Sequence, residues 1–228
     1  MPSKLALFIG ALLVLAVLTD AHANLIADPG FEVTSSQATG QLTWPLSDIG
    51  SWGVGDPFSI VTSENGVAPA EGSKMLRFDG VQVAGDVYQI VDLSTSAASI
   101  DTGLVTVTFS AYFNATASNM VGINVFGWDS APTAFDTPTR SLITSQVTTN
   151  LDTDLQTWEQ VTGSTALPVG LRYIALGIHA DGDVFNTYAD LTSLSLTTAR
   201  VASPPSFMLL ALGLATIGYR RRKQSKAA

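Results

Sequence analysis

Chemistry in this chain must come chiefly from oxygen atoms, aromatic rings and two imidazoles. Cysteine is absent, so thiol nucleophiles and cysteine-held metals are excluded. Two histidines occur, and His179 is the one distant from the N-terminus. It lies inside an apolar alternation, which reads as a packed or edge-strand residue. No serine stands in a Gly-x-Ser-x-Gly turn, so the usual hydrolase elbow is missing. The acids are too many and too scattered for two of them to be assigned as a glycosidase pair. Asp181-Gly182-Asp183 and Asp152-Thr153-Asp154 resemble the start of a calcium loop. Phe185 stands where the next oxygen ligand after Asp181 and Asp183 belongs, and both read as acidic turns. Rings offer a different chemistry. Sugar C–H faces stack on flat aromatic rings, while sugar hydroxyls bond to amides and carboxylates. Trp44, Trp52 and Trp128 lie in Gly-, Asp- and Pro-rich surroundings and are the candidate glycan contacts. Trp158 begins a strand-like run and reads as core.

The elements that must position these residues are strands. The segment from about residue 24 to 200 is rich in Thr, Ser, Val, Gly and Asn, which favours strands and turns over helices. Period-two alternation is clearest over Leu104–Phe113. It recurs over Val87–Leu93, Tyr173–His179 and Ala189–Leu196. Turn signals separate these runs: Asn65-Gly66, Asp79-Gly80, Thr102-Gly103, Pro168-Val169-Gly170 and Asp181-Gly182. No 3.6-residue apolar period competes. Many short strands without intervening helices predict an all-β sandwich.

Both ends of the chain differ from this core. Lys4, the apolar run Leu5–Leu18 and the small-x-small sequence Ala21-His22-Ala23 read as a signal peptide over 1–23. The run has roughly 14 residues, short of the roughly 20 that span a bilayer. Residues 201–228 form a second processing segment. Ser203-Pro204-Pro205 stops the β pattern, and an apolar, glycine-containing run follows from Phe207 to Tyr219. Arg220-Arg221-Arg222-Lys223 closes it. A hydrophobic run capped by basic residues predicts a short transmembrane helix with its basic end cytoplasmic. Of the 19 acids only Asp20 lies outside the core, against six of the 11 basic residues. The core therefore carries 18 acids and five bases, a net charge of −13. Such a surface repels nucleic acid and tolerates cations and neutral glycans.

The tail over Val201–Lys223 resembles the PEP-CTERM sorting signal, with Ser203-Pro204-Pro205 where that family has Pro-Glu-Pro. The resemblance implies an exosortase-like protease and the inner membrane as partners. The core resembles the galactose-binding-like jelly rolls that include many carbohydrate-binding modules. Five stretches carry that likeness: Asn24–Glu32, Glu71–Phe78, Tyr88–Val91, Trp158–Val161 and Tyr188–Leu194. It implies a jelly-roll β-sandwich over 24–200. It also implies a structural calcium held by the carboxylates of Glu32 and Asp190, with backbone ligands from Asn24 and from the Ser73-Lys74 turn.

The expected protein is exported, noncatalytic, and bound to glycan or to an exopolysaccharide matrix, with its tail at the membrane at least transiently. The alternatives are a surface protein that self-associates through sheet edges, and a polysaccharide hydrolase. Cleavage after Ala23 predicts that N-terminal sequencing of the exported protein starts at Asn24. An intact Met1 in a membrane fraction would contradict it.

Overall fold

A computed structural model describes residues 23–36, 49–79, 84–133, 141–182 and 184–199. The leader, the tail with Ser203, Pro204, Pro205 and Arg220 to Arg222, and Trp44 lie outside these residues. Among the described residues, no helix is long and apolar enough to cross a membrane.

The chain is all-β. Among the described residues, ten strands form two five-stranded antiparallel sheets. They are β1 (Trp52–Gly55), β2 (Phe58–Val61), β3 (Met75–Phe78), β4 (Ala84–Asp92), β5 (Val105–Ala115), β6 (Met120–Trp128), β7 (Ser141–Asn150), β8 (Glu159–Ala166), β9 (Tyr173–Asp181) and β10 (Thr187–Thr198). One sheet has the order β1-β4-β9-β6-β7, and the other β2-β3-β10-β5-β8. The path repeatedly crosses from one sheet to the other, in the manner of a jelly roll. The four alternating runs of the sequence become β5, β4, β9 and β10. Helix is confined to short turns, of which α1 (Ala97–Ile100) is the only α-helical one among the described residues.

Alternation builds the core. Val105, Val107, Phe109, Ala111, Phe113 and Ala115 of β5 are each at most 1% exposed. Ile174, Leu176, Ile178 and Ala180 of β9 join them in one cluster from the opposite sheet. Each large side chain buried this way contributes about 1.5–3 kcal/mol.

The N-terminal segment fastens the two sheets together. The Leu25 amide donates to the Leu194 carbonyl of β10 at 2.8 Å. Gln89 of β4, 1% exposed, holds Ala27 from both sides: its Oε1 accepts from the Ala27 amide at 2.7 Å and its Nε2 donates to the Ala27 carbonyl at 2.8 Å. A buried amide side chain is tolerated because its donor and acceptor are both used. Asn24 does similar work. Its Oδ1 accepts from the Ile26 and Leu194 amides, and its Nδ2 donates to the Thr192 carbonyl.

Candidate functional site

Three carboxylates shape the end of the sandwich beside this segment. Asp28, at a left-handed φ of 49°, accepts from the amides of Glu32, Val33 and Thr34 and from the Thr34 hydroxyl. Glu32 accepts from the Ser73 and Lys74 amides on Oε1, at 2.7 and 3.0 Å, and from the Ser73 hydroxyl on Oε2. These bonds hold its carboxyl below the usual range. Asp190 sits at an irregularity in the β10–β5 pairing and is fully buried. It accepts from the Ala70 and Glu71 amides on Oδ2 and from the Leu191 amide on Oδ1. Burial pushes its carboxyl up to about 6 against the pull of those amides, and the charge on Glu32 adds to the rise.

The charge on Glu32 reaches Asp190, which makes the two carboxylates near neighbours. Glu32 opens onto a groove of about 270 Å³ lined also by Asp28, Gly30, Glu71, Gly72 and Leu191. Like charges beside a buried carboxylate favour a cation, and Glu32 Oε2 and Asp190 Oδ1 each carry a single hydrogen bond from the chain. The remaining expected ligands have different roles. Ser73 and Lys74 turn amide hydrogens toward Glu32, and the Lys74 ammonium donates to the Glu32 carbonyl at 2.6 Å. The Asn24 side chain is spent on Thr192 and Leu194. Among the described residues, no group of three or more His, Asp or Glu is placed to share a metal. The pair thus fits calcium only with carbonyls and water completing the shell.

The tryptophans need correction. Trp52 opens β1 and is 7% exposed. Its ring packs on Phe31 at 5.1 Å between centroids, and its Nε1 donates to the Asp28 carbonyl. Trp128 ends β6 and is fully buried. Both lie in strands rather than loops and are buried, Trp52 leaving only an edge on a groove of about 490 Å³ lined also by Asp28, Thr34 and Ser51. Trp158 is half-buried beside Val67, Met75 and Tyr188, with its Nε1 on the Ala68 carbonyl. The Asp152 and Asp154 carboxylates cap local amides, as acidic turns do.

A different aromatic face emerges on the outside of the β1-β4-β9-β6-β7 sheet. The pairing of β4, β9 and β6 aligns four outward rows. They are Asp86–His179–Gly122, Tyr88–Gly177–Asn124, Ile90–Ala175–Phe126 and Asp92–Tyr173–Trp128. Two glycines form its floor. A Cβ on Gly177 would lie 2.3 Å from the Tyr88 ring, and one on Gly122 would lie 2.5 Å from the His179 ring. Those rings therefore lie flat across neighbouring strands. Tyr88 and Phe126 meet at 6.0 Å, tilted. Tyr88, Ile90, Ala175, His179 and Trp128 are buried, while Asn124, Phe126, Tyr173 and Asp86 keep part of their surface. His179 sits in the central strand, 3% exposed, and burial lowers its pKa while Asp181 pulls the other way. The Tyr88 hydroxyl bonds to Asp86. Rings, an amide and carboxylates on one surface are groups that stack on and hydrogen-bond a polyol. One signal for it was present in the sequence: the positions of β9 that alternate with Ile174, Leu176 and Ile178 are Tyr173, Ala175 and Gly177, none of them charged, so both its faces are covered or in use.

No family model matches the chain, and no curated protein sequence matches it. Its fold is similar to that of several solved structures. One holds the CBM22-1–GH10 modules of the Clostridium thermocellum xylanase Xyn10B complexed with xylohexaose, at 13% identity and a TM-score of 0.47, over 80% of this chain and 30% of that one. The chain thus spans under a third of that xylanase structure. A second is TmCBM61 in complex with beta-1,4-galactotriose, at 14% identity and a TM-score of 0.42, over 78% of this chain and 99% of that one. A third is a cyclase from Fischerella sp. TAU, at 9% identity and a TM-score of 0.49, over 79% of this chain and 100% of that one. A shape found in sugar-binding modules and in a cyclase does not choose between those roles.

Asp86 supplies a test of the geometry. Burial, then the charges of Asp56 and Asp181, raise its carboxyl from 3.8 to about 6 against the Tyr88 hydrogen bond. A raised folded-state value stabilises fully below the unfolded value and is lost as pH rises through the folded one. Asp86→Asn does not titrate. Its stability relative to wild type should therefore improve between roughly pH 4 and pH 7, on the order of 2 kcal/mol after allowing for partial exposure. Thermal melts across that range check it, and a constant gap would contradict it.

Proposed function

We propose that the chain is an exported, noncatalytic glycan-binding module. The observation behind this reading is the outer face of the β4–β9–β6 strands. Phe126 and Tyr173 pack partly buried against Tyr88, Ile90, Trp128 and Ala175 and present what ring surface remains, and Asn124 and Asp86 lie within the same few rows to bond hydroxyls. The rings rest on a paired sheet, so little ordering is needed on binding. The net charge of −13 on the core favours neutral over anionic glycans. Export by the leader and sorting by the tail belong to the same proposal.

A glycan array probed with the purified protein tests it directly. Binding of neutral oligosaccharides should weaken roughly tenfold or more in Tyr173→Ala and in Asn124→Ala, which corresponds to about 1.4 kcal/mol or more each. Turnover of the bound glycan would favour the hydrolase reading.

Calcium between Glu32 and Asp190 completes the proposal. The ion would relieve the repulsion between the two carboxylates and clamp the 70–74 segment to β10. Binding only to the folded chain adds about 2.7 kcal/mol at 100 times the dissociation constant. A chelator should lower the melting temperature of wild type and leave Glu32→Ala unmoved. A melting curve that chelator does not shift rejects the ion.

A further inference from the structure

The opposite side of the sandwich carries a second surface, built by the register of β8, β5 and β10. The outward residues of these strands align in three rows: Thr162–Ser110–Ser193, Ser164–Thr108–Ser195 and Ala166–Thr106–Thr197. Eight of the nine positions are serine or threonine. Neighbouring strands lie about 4.8 Å apart and alternate residues about 6.8 Å apart, so the hydroxyls form a two-dimensional lattice. Thr108, Thr162, Ser164, Ala166 and Thr197 are exposed, and Thr106, Ser193 and Ser195 are half-buried. Ser110, 8% exposed, bonds its hydroxyl to that of Ser193 at 2.8 Å.

We propose that this lattice binds the flat surface of an ordered, uncharged polysaccharide, in which chains lie packed side by side. Three properties select that partner. The patch is level, because none of its side chains is longer than threonine. It is neutral, with no Lys, Arg, Asp or Glu among the nine positions, on a core of net charge −13. An anionic polymer is repelled by that surrounding charge, and a neutral one is not. The patch is also rigid. Threonine is stiff at χ1, and short side chains lose little freedom when covered, whereas Lys or Glu would lose up to about 2 kcal/mol. Each hydroxyl contact is weak. A partner whose hydroxyls are already fixed in a repeating plane engages many of them without further ordering, whereas a single flexible chain must be ordered first. This surface lies on the other sheet from the aromatic face and does not depend on it.

Sedimentation of the mature protein with microcrystalline cellulose or insoluble chitin tests the assignment. Wild type should pellet with the particles. Thr108→Lys with Ser195→Lys should weaken pelleting roughly tenfold or more. Ser164→Lys, on the edge strand β8, provides a second variant should the double one fold poorly. Thr108→Ser should pellet like wild type. The lysine variants should keep their affinity for soluble oligosaccharide, which separates this surface from the aromatic one. No pelleting, or pelleting that the lysines leave intact, overturns the assignment. So does a lysine-sensitive retention on ice, or a lysine-sensitive dimer in sedimentation equilibrium, with no retention on particles.

Discussion

The register of the two central strands is the constraint on which everything else depends. β9 is paired along its whole length, with β4 on one side and β6 on the other, and β5 lies between β8 and β10, its pairing with β10 interrupted only between Asp190 and Ser193. Side chains alternate with a period of two, so a slip of one residue in either strand would exchange its inner and outer sets. The slip would bring Gly177 and His179 into the core and turn Leu176 and Ile178 outward. The inner residues, Phe109, Phe113, Ile174 and Ile178 among them, fix the register through burial. The outer residues of β8, β5 and β10 are then placed with little part in that choice, whereas Tyr88, Ile90, Ala175 and Trp128 on the other outer face are buried in a second cluster and add to it.

The two outer faces show what this freedom permits. On one sheet, the glycines of β6 and β9 make room for flat rings, and aromatic and polar groups share a surface. On the other, hydroxyls repeat with the spacing of the strands themselves. At the end of the sandwich, Asp28, Glu32 and Asp190 gather backbone amides that no strand partner satisfies. A loop that lacks a ladder needs such acceptors for its buried N–H groups. The carboxylates thus have a structural task that stands whether or not an ion also binds there.

The legible part of the fold was its alternation. β4, β5, β9 and β10 follow from apolar residues at every second position, and Asn65-Gly66, Thr102-Gly103 and Pro168-Val169-Gly170 mark turns where the glycines adopt left-handed φ. β6 and β7 were not legible. Gly122 and Gly127 interrupt the first, and half of the second is Ser and Thr, with weak apolar contrast. Trp52 and Trp128 were read as loop residues because Gly50 and Asp129 sit beside them, yet their burial is decided by strands distant in sequence. The nearness of Glu32 and Asp190 was legible only through a family resemblance. That Ser73 and Lys74 present amide hydrogens to Glu32 depends on a turn at Gly72, whose φ of 68° no composition reveals.

The central claim is that a sheet face, positioned by the register of β9, binds glycan. Backbone-amide NMR of the isotope-labelled protein, titrated with neutral oligosaccharide, tests it most directly. The account predicts graded shifts centred on Asn124, Phe126 and Tyr173 and on their outward neighbours in β4, with the amides of the β8–β5–β10 face unmoved. Shifts confined to the loops around Asp28 and Gly72, or a spectrum that no oligosaccharide perturbs, would contradict it.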